Sequence, residues 1–292
     1  MYQKSIFLLL ILFVTVSSYG QDIPVYKIYT ETEETVSFPK LVDSLSNYDV
    51  VLFGELHDHP VLHWLQLKTV QQLYKIDKNL VLGAEMFETD NQLILDEYLK
   101  GQIPQNRFEE EMRLWTNYKT DYKPLVEFAK TKQLPFIATN VPRRYATVVS
   151  KFGIDSLTTF SEQAKKYMAP LPIEVDTITP GYAEMLGMMS GHGMQGNAMN
   201  FVEAQALKDA TMATEIIKNL PENGLFIHFN GNFHSKDFGG IYWYLKKQQP
   251  DIKVAVVAAF SSENNELALI KNNQKKSGNF IILVPEDFTK TY

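Results

Sequence analysis

The chain contains no cysteine. No disulfide can form, and no thiolate can ligate zinc or an iron–sulfur cluster. The lipidated cysteine that tethers a bacterial lipoprotein is missing as well. Any metal site must therefore draw on His, Asp, Glu, Tyr or Met. Glycine and proline are sparse, 15 and 13 residues in 292, which excludes a collagen-like or low-complexity chain. A basic excess is absent too: 28 Lys and Arg against 34 Asp and Glu give a net charge of −6, so the chain has no electrostatic footprint for nucleic acid. No apolar run reaches the ~20 residues that span a bilayer. Core-forming material is what the chain has in quantity. At 45% apolar, it can bury one large domain without cross-links.

The longest apolar run opens the chain. Lys4 precedes a run over 5–16 dominated by Ile, Leu, Phe and Val, and Ser17-Ser18-Tyr19-Gly20 puts small residues at a cleavage site before Gln21. Residues 1–20 read as a secretory signal peptide and 21–292 as a single domain. The expected location is the periplasm or the exterior, with no transmembrane anchor once the leader is removed.

Beyond the leader, short apolar runs alternate with amphipathic stretches. Runs at 49–53, 80–84, 134–138, 225–229 and 253–260 read as strands, and 279–284 as a further, edge strand. They are apolar throughout rather than alternating, which suits strands covered on both faces of a parallel sheet. Helical patterns occupy 61–74, 123–132, 200–220 and 236–248, with Pro60 placed in a first turn. The expected fold is α/β: a three-layer, mostly parallel sheet flanked by helices, with an inserted helical lid subdomain. The insertions lie at about 91–117 and 152–200, the second carrying Pro170, Pro172 and Pro180.

Polar residues collect just past the strands: Gly54-Glu55-Leu56-His57-Asp58-His59, Glu85-Met86-Phe87-Glu88, Asn140-Val141-Pro142-Arg143-Arg144 and Asn230-Gly231-Asn232-Phe233-His234. The carboxyl ends of parallel strands share one edge, where ligands bind. Glu55, His57, Glu85, Asn140, Arg143 and His234 are therefore expected in one cleft, although capping or turn formation would also explain any one of them.

Two Gly-x-x-His elements stand out, Gly54 with His57 and Gly231 with His234. Glycine lets the chain turn tightly off a strand, and three residues on a histidine can point back into the crevice. With Glu55 and Glu85 beside them, two imidazoles can hold a divalent metal or carry acid–base chemistry. For His234 the structural alternative is capping the helix expected from Lys236. His59 and His63 share helical spacing across Pro60 and are expected on a solvated face, while His228, inside a strand, reads as a satisfied core histidine. Gln205 and Asp209 share a helix face, where Asp209 can support a cleft histidine from behind or cap a loop.

Met185, Met188, Met189, Met194 and Met199 crowd around Gly191-His192-Gly193. Methionine suits a surface that moulds itself to a large apolar ligand, or an irregular core gap. His192, between glycines, has the freedom to swing in as a ligand. Tyr118 and Tyr122 accompany Arg113 and Lys119; tyrosine can ligate ferric haem, and basic residues, with Arg143, Arg144 and Arg113 as candidates, can meet its propionates. The same tyrosines can equally pack the insertion onto the domain.

Gly54-Glu55-Leu56-His57-Asp58, Gly83-Ala84-Glu85-Met86-Phe87, Asp121-Tyr122-Lys123-Pro124-Leu125, Ala138-Thr139-Asn140-Val141-Pro142-Arg143 and Gly231-Asn232-Phe233-His234 together resemble the ChaN family. The helical Glu203-Ala204-Gln205-Ala206 with Asp209 and Met212-Ala213 does so too. The resemblance covers about 45–262. ChaN proteins are bacterial haem-binding, iron-regulated proteins linked to haem uptake, in a superfamily that includes Tiki proteases and erythromycin esterases. The resemblance implies an α/β domain whose helical insertion binds haem through tyrosine, with cofacial pairing of two subunits as a homodimer. Tyr122 best matches a family motif and is the expected iron ligand, with Tyr118 and His192 next. Arg143, Met188 and Met189 would line the haem site, and Gly54, Asn140, Gln205, Asp209, Gly231 and Asn232 would shape the cleft. Haem would come from a partner such as an outer-membrane haem receptor. The missing lipoprotein cysteine departs from many ChaN members and puts membrane tethering in doubt. The superfamily also supplies an alternative, a metal-dependent hydrolase using Glu55, His57, Glu85 and His234 with a divalent metal ion. Haem binding is the expectation, and an enzyme the less favoured outcome.

Overall fold

Eight strands make one sheet in the order β2-β1-β8-β7-β3-β6-β4-β5. They are β1 (Lys27–Thr30), β2 (Thr35–Val36), β3 (Val50–Glu55), β4 (Leu80–Glu88), β5 (Phe136–Asn140), β6 (Leu225–Gly231), β7 (Val254–Ser262) and β8 (Phe280–Pro285). The computed structural model describes residues 23–76, 79–191, 198–263, 267–268, 274 and 276–292. The expected signal peptide, together with His192 and Met194, lies outside the described residues.

Strands β3 to β8 run parallel, and β1 joins β8 and β2 antiparallel. Side-chain alternation divides the core as a doubly covered sheet requires. Val51, Phe53, Leu82 and Ala84 face one layer, made by helices Phe38–Leu45, Pro60–Ile76, Gln92–Leu99 and Lys123–Lys132. Val50, Leu52, Val81 and Val256 face the other, made by helices Ala198–Lys218 and Ile241–Gln248. The three-layer α/β architecture is as the sequence predicts.

One local expectation changes. The last strand is not an edge: β8 lies between β7 and β1, and the hairpin of β1 and β2 covers it. That hairpin carries too few apolar residues to announce itself. The first insertion does form short helices, Gln92–Leu99 and Gln105–Glu111. The second forms helix Pro180–Gly191 and short turns packed on helix Ala198–Lys218.

Because β3, β6, β4 and β5 are neighbours and parallel, their carboxyl ends form one continuous edge. Chain direction across the sheet reverses there, since β6 returns to lie between β3 and β4. Such reversals open a crevice at the strand ends.

Candidate functional site

Strand β3 ends at Glu55, in register with Gly231 at the end of β6. Gly54 is required by close approach: a Cβ there would stand 2.7 Å from Asn232 Oδ1 and 2.9 Å from the Val257 carbonyl. Asn232 uses that oxygen to accept from the Ala259 N–H at 2.9 Å, so the turn after β6 is fastened to β7. Gly231 leaves room for an imidazole, since its Cβ would lie 2.6 Å from His57 Nε2. The two Gly-x-x-His elements therefore face each other across neighbouring strands.

Glu55 is fully buried yet saturated with partners. It accepts from His57 Nδ1 at 2.9 Å, Gln66 Nε2 at 2.6 Å and Tyr122 Oη at 2.7 Å, and His63 lies 3.7 Å away. Burial alone would raise its carboxyl; the His63 and His57 rings and the Gln66 amide outweigh burial and hold it below the usual carboxylate range. His57 is the exposed end of this network, with 34% of its side chain accessible. Burial works against its imidazolium, but the Glu55 hydrogen bond and the field of Glu85 leave its pKa raised. Among the described residues its Nε2 has no hydrogen-bond partner.

A second cluster lies beside the first. His234 Nδ1 donates to Asp209 Oδ1 at 2.5 Å, and its Nε2 lies 3.1 Å from Glu85 Oε1. Glu85 also accepts the Gly231 N–H at 2.7 Å, and Asp209 accepts from Tyr182 Oη at 2.7 Å. The Gln205 amide lies 2.9 Å from the ring. Burial opposes charge on His234, but two facing carboxylates overcome it and push the imidazole up to about 10. Glu85 is held well below the carboxylate range, because His234 and the Gly231 N–H outweigh its burial. Complete burial raises Asp209, with His234 and Tyr182 offsetting part of the effect. His234 is thus a fixed cation between two acids. It caps no helix, since its side chain turns away from the Lys236–Phe238 turn toward helix Ala198–Lys218. Asp209 and Gln205 support it from that helix, as their spacing predicts.

Cavities adjoin these clusters. One of about 570 Å3 is lined by His57, Glu85, His234, Asn140 and Gln205 at its floor, with Trp115, Val141, Ala146, Met185, Phe201 and Ala204 as apolar walls. Arg143 and Lys208 also line it, and neither forms an ion pair among the described residues. A second cavity shares His57 and His234, and a third shares Glu88, Trp115 and Arg143. Asn140 donates Nδ2 to the Glu85 carbonyl at 3.0 Å, tying β5 to β4.

The sequence matches one family over residues 41–245, described as haem-binding uptake, Tiki superfamily, ChaN. The chain belongs to this family. Comparison with curated proteins gives no match. Among solved structures, the fold is similar to one described as cofacial haem binding to ChaN of Campylobacter jejuni. The TM-score is 0.65 at 18% identity, covering 89% of this chain and 96% of that one. A type III effector (TM-score 0.47, 12% identity, 86% and 94% covered) and an erythromycin esterase mutant in its open conformation (0.45, 12%, 80% and 77%) are more distant.

In this ChaN-family chain the residues at the cavity fit haem. The volume suits a large ligand, Trp115 and Phe201 offer flat apolar walls, Arg143 and Lys208 are free to meet carboxylates, and His57 presents an unshared ring nitrogen. Both tyrosines named from the sequence are buried. Tyr122 is 2% exposed with its hydroxyl committed to Glu55, and burial followed by the Glu55 charge raises its pKa far above the usual value. Tyr118 is buried among Phe87 and Phe108, its hydroxyl without a hydrogen-bond partner among the described residues. Tyr122 lines none of these three cavities, and Tyr118 lines a separate one of about 380 Å3 that shares Trp115 with the first. Of the methionines, Met185 lines the cavity, whereas Met188 and Met189 do not, and Met188 is 53% exposed. Arg113 is paired with Glu88 and Asp90, and Arg144 with Asp90, which leaves Arg143 as the available arginine.

Three further placements differ from expectation or confirm it. His59 and His63 are buried, not solvated. His59 Nε2 donates to the Pro285 carbonyl at 2.8 Å, and His63 bridges Glu55 and Asp121. His228 is the satisfied core histidine expected, bonded to Thr139 and Asn230 and driven down to about 4 by burial. For a divalent metal, no group of three or more His, Asp or Glu among the described residues is arranged to hold an ion. The metal-dependent alternative therefore finds no such donor set among the described residues.

Proposed function

We propose that this protein takes up haem in the cavity between the strand ends and the helical insertion. The observation that carries this reading is His57, in a member of a haem-binding family. The buried Glu55 fixes Nδ1, Nε2 lies over Gly231, and the ring lines a cavity with aromatic walls and two cations that are unpaired among the described residues. A carboxylate behind an imidazole fixes its tautomer and orientation and makes it a better ligand. His57 would hold the iron, Arg143 and Lys208 the propionates, and Trp115, Met185 and Phe201 the macrocycle. Tyr122 enters one layer back, orienting Glu55. Bound haem would supply iron for uptake or storage, and no bond in the protein need change. In the same reading residues 1–20 direct export to the periplasm or exterior, an outer-membrane receptor supplies haem, and two copies pair across it.

Titrating the purified protein with hemin tests the proposal. A saturable Soret shift, weakened at least tenfold by His57→Ala and little changed by Tyr122→Phe, is expected. A shift lost in Tyr122→Phe and kept in His57→Ala would move the iron to the tyrosine. No saturable shift would overturn haem binding.

A second reading has one observation in its favour. The Glu55–His57 pair, with Nε2 free beside the ionised Glu85, is also the arrangement of a general base that activates water. Hydrolysis of ester or amide substrates, abolished by His57→Ala, would support it.

A further inference from the structure

The chain beyond β8 does not leave the molecule. Glu286 N–H bonds to the Ser262 carbonyl at 3.0 Å, and the Phe288 ring lies 5.6 Å from that of His59. Thr291 then makes two contacts across the carboxyl edge. Its N–H donates to the Asp58 carbonyl at 3.1 Å, and its hydroxyl donates to Asp121 Oδ2 at 2.7 Å. Asp121 is no surface acid: it is buried, accepts from Asn117 Nδ2 at 2.6 Å and lies 3.5 Å from His63. Through His63 it adjoins Glu55, the residue that orients His57. The tail is thus seated in the polar network beneath the site. Asn117 Nδ2 also donates to the His57 carbonyl at 2.9 Å, so one amide joins the anchor to the site loop.

The anchor sets the next residue over the cleft. Tyr292 lines both side cavities, the one bounded by Glu55, His57 and His234 and the one bounded by Trp115, Arg143 and Glu88. Tyr292 is 62% exposed, with a large apolar ring at a ligand trough. With its backbone already fixed, such a ring has only two side-chain torsions to order when a flat ligand covers it.

We infer that Tyr292 is a ligand-binding residue, its ring forming a wall against a planar aromatic ligand, and that Thr291 is the positioning residue that holds it there by bonding to buried Asp121. The inference rests on the haem reading for the identity of the ligand. The ring face is what binds, so the phenol oxygen is dispensable. Its charge is unavailable in any case: burial and the neighbouring Asp58, Glu55 and Asp121 raise the phenol and keep it neutral.

The test is hemin titration of the purified protein and four variants, followed in the visible spectrum. Tyr292→Ala should weaken binding roughly five- to tenfold, and Tyr292→Phe should bind as wild type does. Thr291→Val should weaken binding in the same direction and speed hydrogen exchange of the tail amides, while Thr291→Ser, which keeps the hydroxyl, should restore both. The proposal is overturned if Tyr292→Ala binds like wild type, or if Tyr292→Phe is as weak as Tyr292→Ala. It is overturned for Thr291 if the Val variant keeps both affinity and slow exchange. Wild-type protein that gives no saturable shift would refute the haem reading itself, a result distinct from a variant that fails to differ.

Discussion

Removing the His234 imidazole should strand two acids. Glu85 and Asp209 are buried, and each has a ring nitrogen of His234 as its cationic partner, at 3.1 and 2.5 Å. Breaking one partner out of a buried ion pair costs about 3–5 kcal/mol, because the remaining charge is left uncompensated. The pKa route reaches a similar figure. A folded value of about 10 against an ordinary 6.5 corresponds, at about 1.4 kcal/mol per pH unit, to roughly 5 kcal/mol. His234→Ala should therefore lose about 3–5 kcal/mol in urea denaturation followed by tryptophan fluorescence, and melt on the order of 10 °C lower. The pH dependence has a defined sign. A histidine raised in the folded state stabilises fully below about 6.5 and loses that contribution as pH climbs through about 10. Glu85, held low, contributes above its ordinary carboxylate value and loses its contribution as the solution becomes acid. The gap between wild type and His234→Ala should thus be widest near pH 6 and narrow toward pH 10. Adding Glu85→Gln and Asp209→Asn to the variant should recover part of the loss. A variant within 1 kcal/mol of wild type at pH 6, or a gap that widens with pH, would refute the argument.

Three more outcomes follow from the same contacts. Gly231→Ala would push on the His57 ring, 2.6 Å from the new Cβ. Because that ring is partly exposed it can yield, so hemin affinity should fall about tenfold with stability changed by less than about 1 kcal/mol; equal affinity would count against His57 at the ligand. Tyr122→Phe removes a donor to an ionised buried acid and should cost about 1.5–3 kcal/mol in denaturation, whereas a neutral result would mean Glu55 is held by its other partners alone. Arg143→Ala and Lys208→Ala should each weaken hemin by about fivefold at low salt, with the loss shrinking as ionic strength rises; a salt-independent loss would point to packing rather than charge.

Much of this was legible in the sequence because parallel strands force it. Apolar runs covered on both faces read as continuous hydrophobic stretches, and the residues after them must meet at one edge. That is why Glu55, His57, Glu85, Asn140 and His234 come together, and why the Gln205–Asp209 spacing put both behind His234. What escaped was burial of polar side chains on helices. His63, Gln66 and Thr69 lie at three-residue steps within the apolar face of helix Pro60–Ile76, and all three are buried. Polar residues recurring on an apolar stripe were the available signal, overlooked because Pro60 suggested a solvated first turn. The burial of the tyrosines was hidden for a related reason. A motif fixes where Tyr122 lies along the chain, but the wide turn Tyr118–Tyr122 sends its hydroxyl inward to Glu55, not outward to the cavity. Lys208, Phe201 and Tyr292 reach the cleft from distant segments, and no local pattern marks such long-range convergence.

Whether haem lies in the His57 cavity is decided by a crystal structure of the protein with hemin bound. Iron should face His57 Nε2, with the macrocycle against Trp115 and Phe201 and the propionates at Arg143 and Lys208. Haem bound elsewhere, or iron held by Tyr122 after the Glu55 hydrogen bond has broken, would contradict that placement.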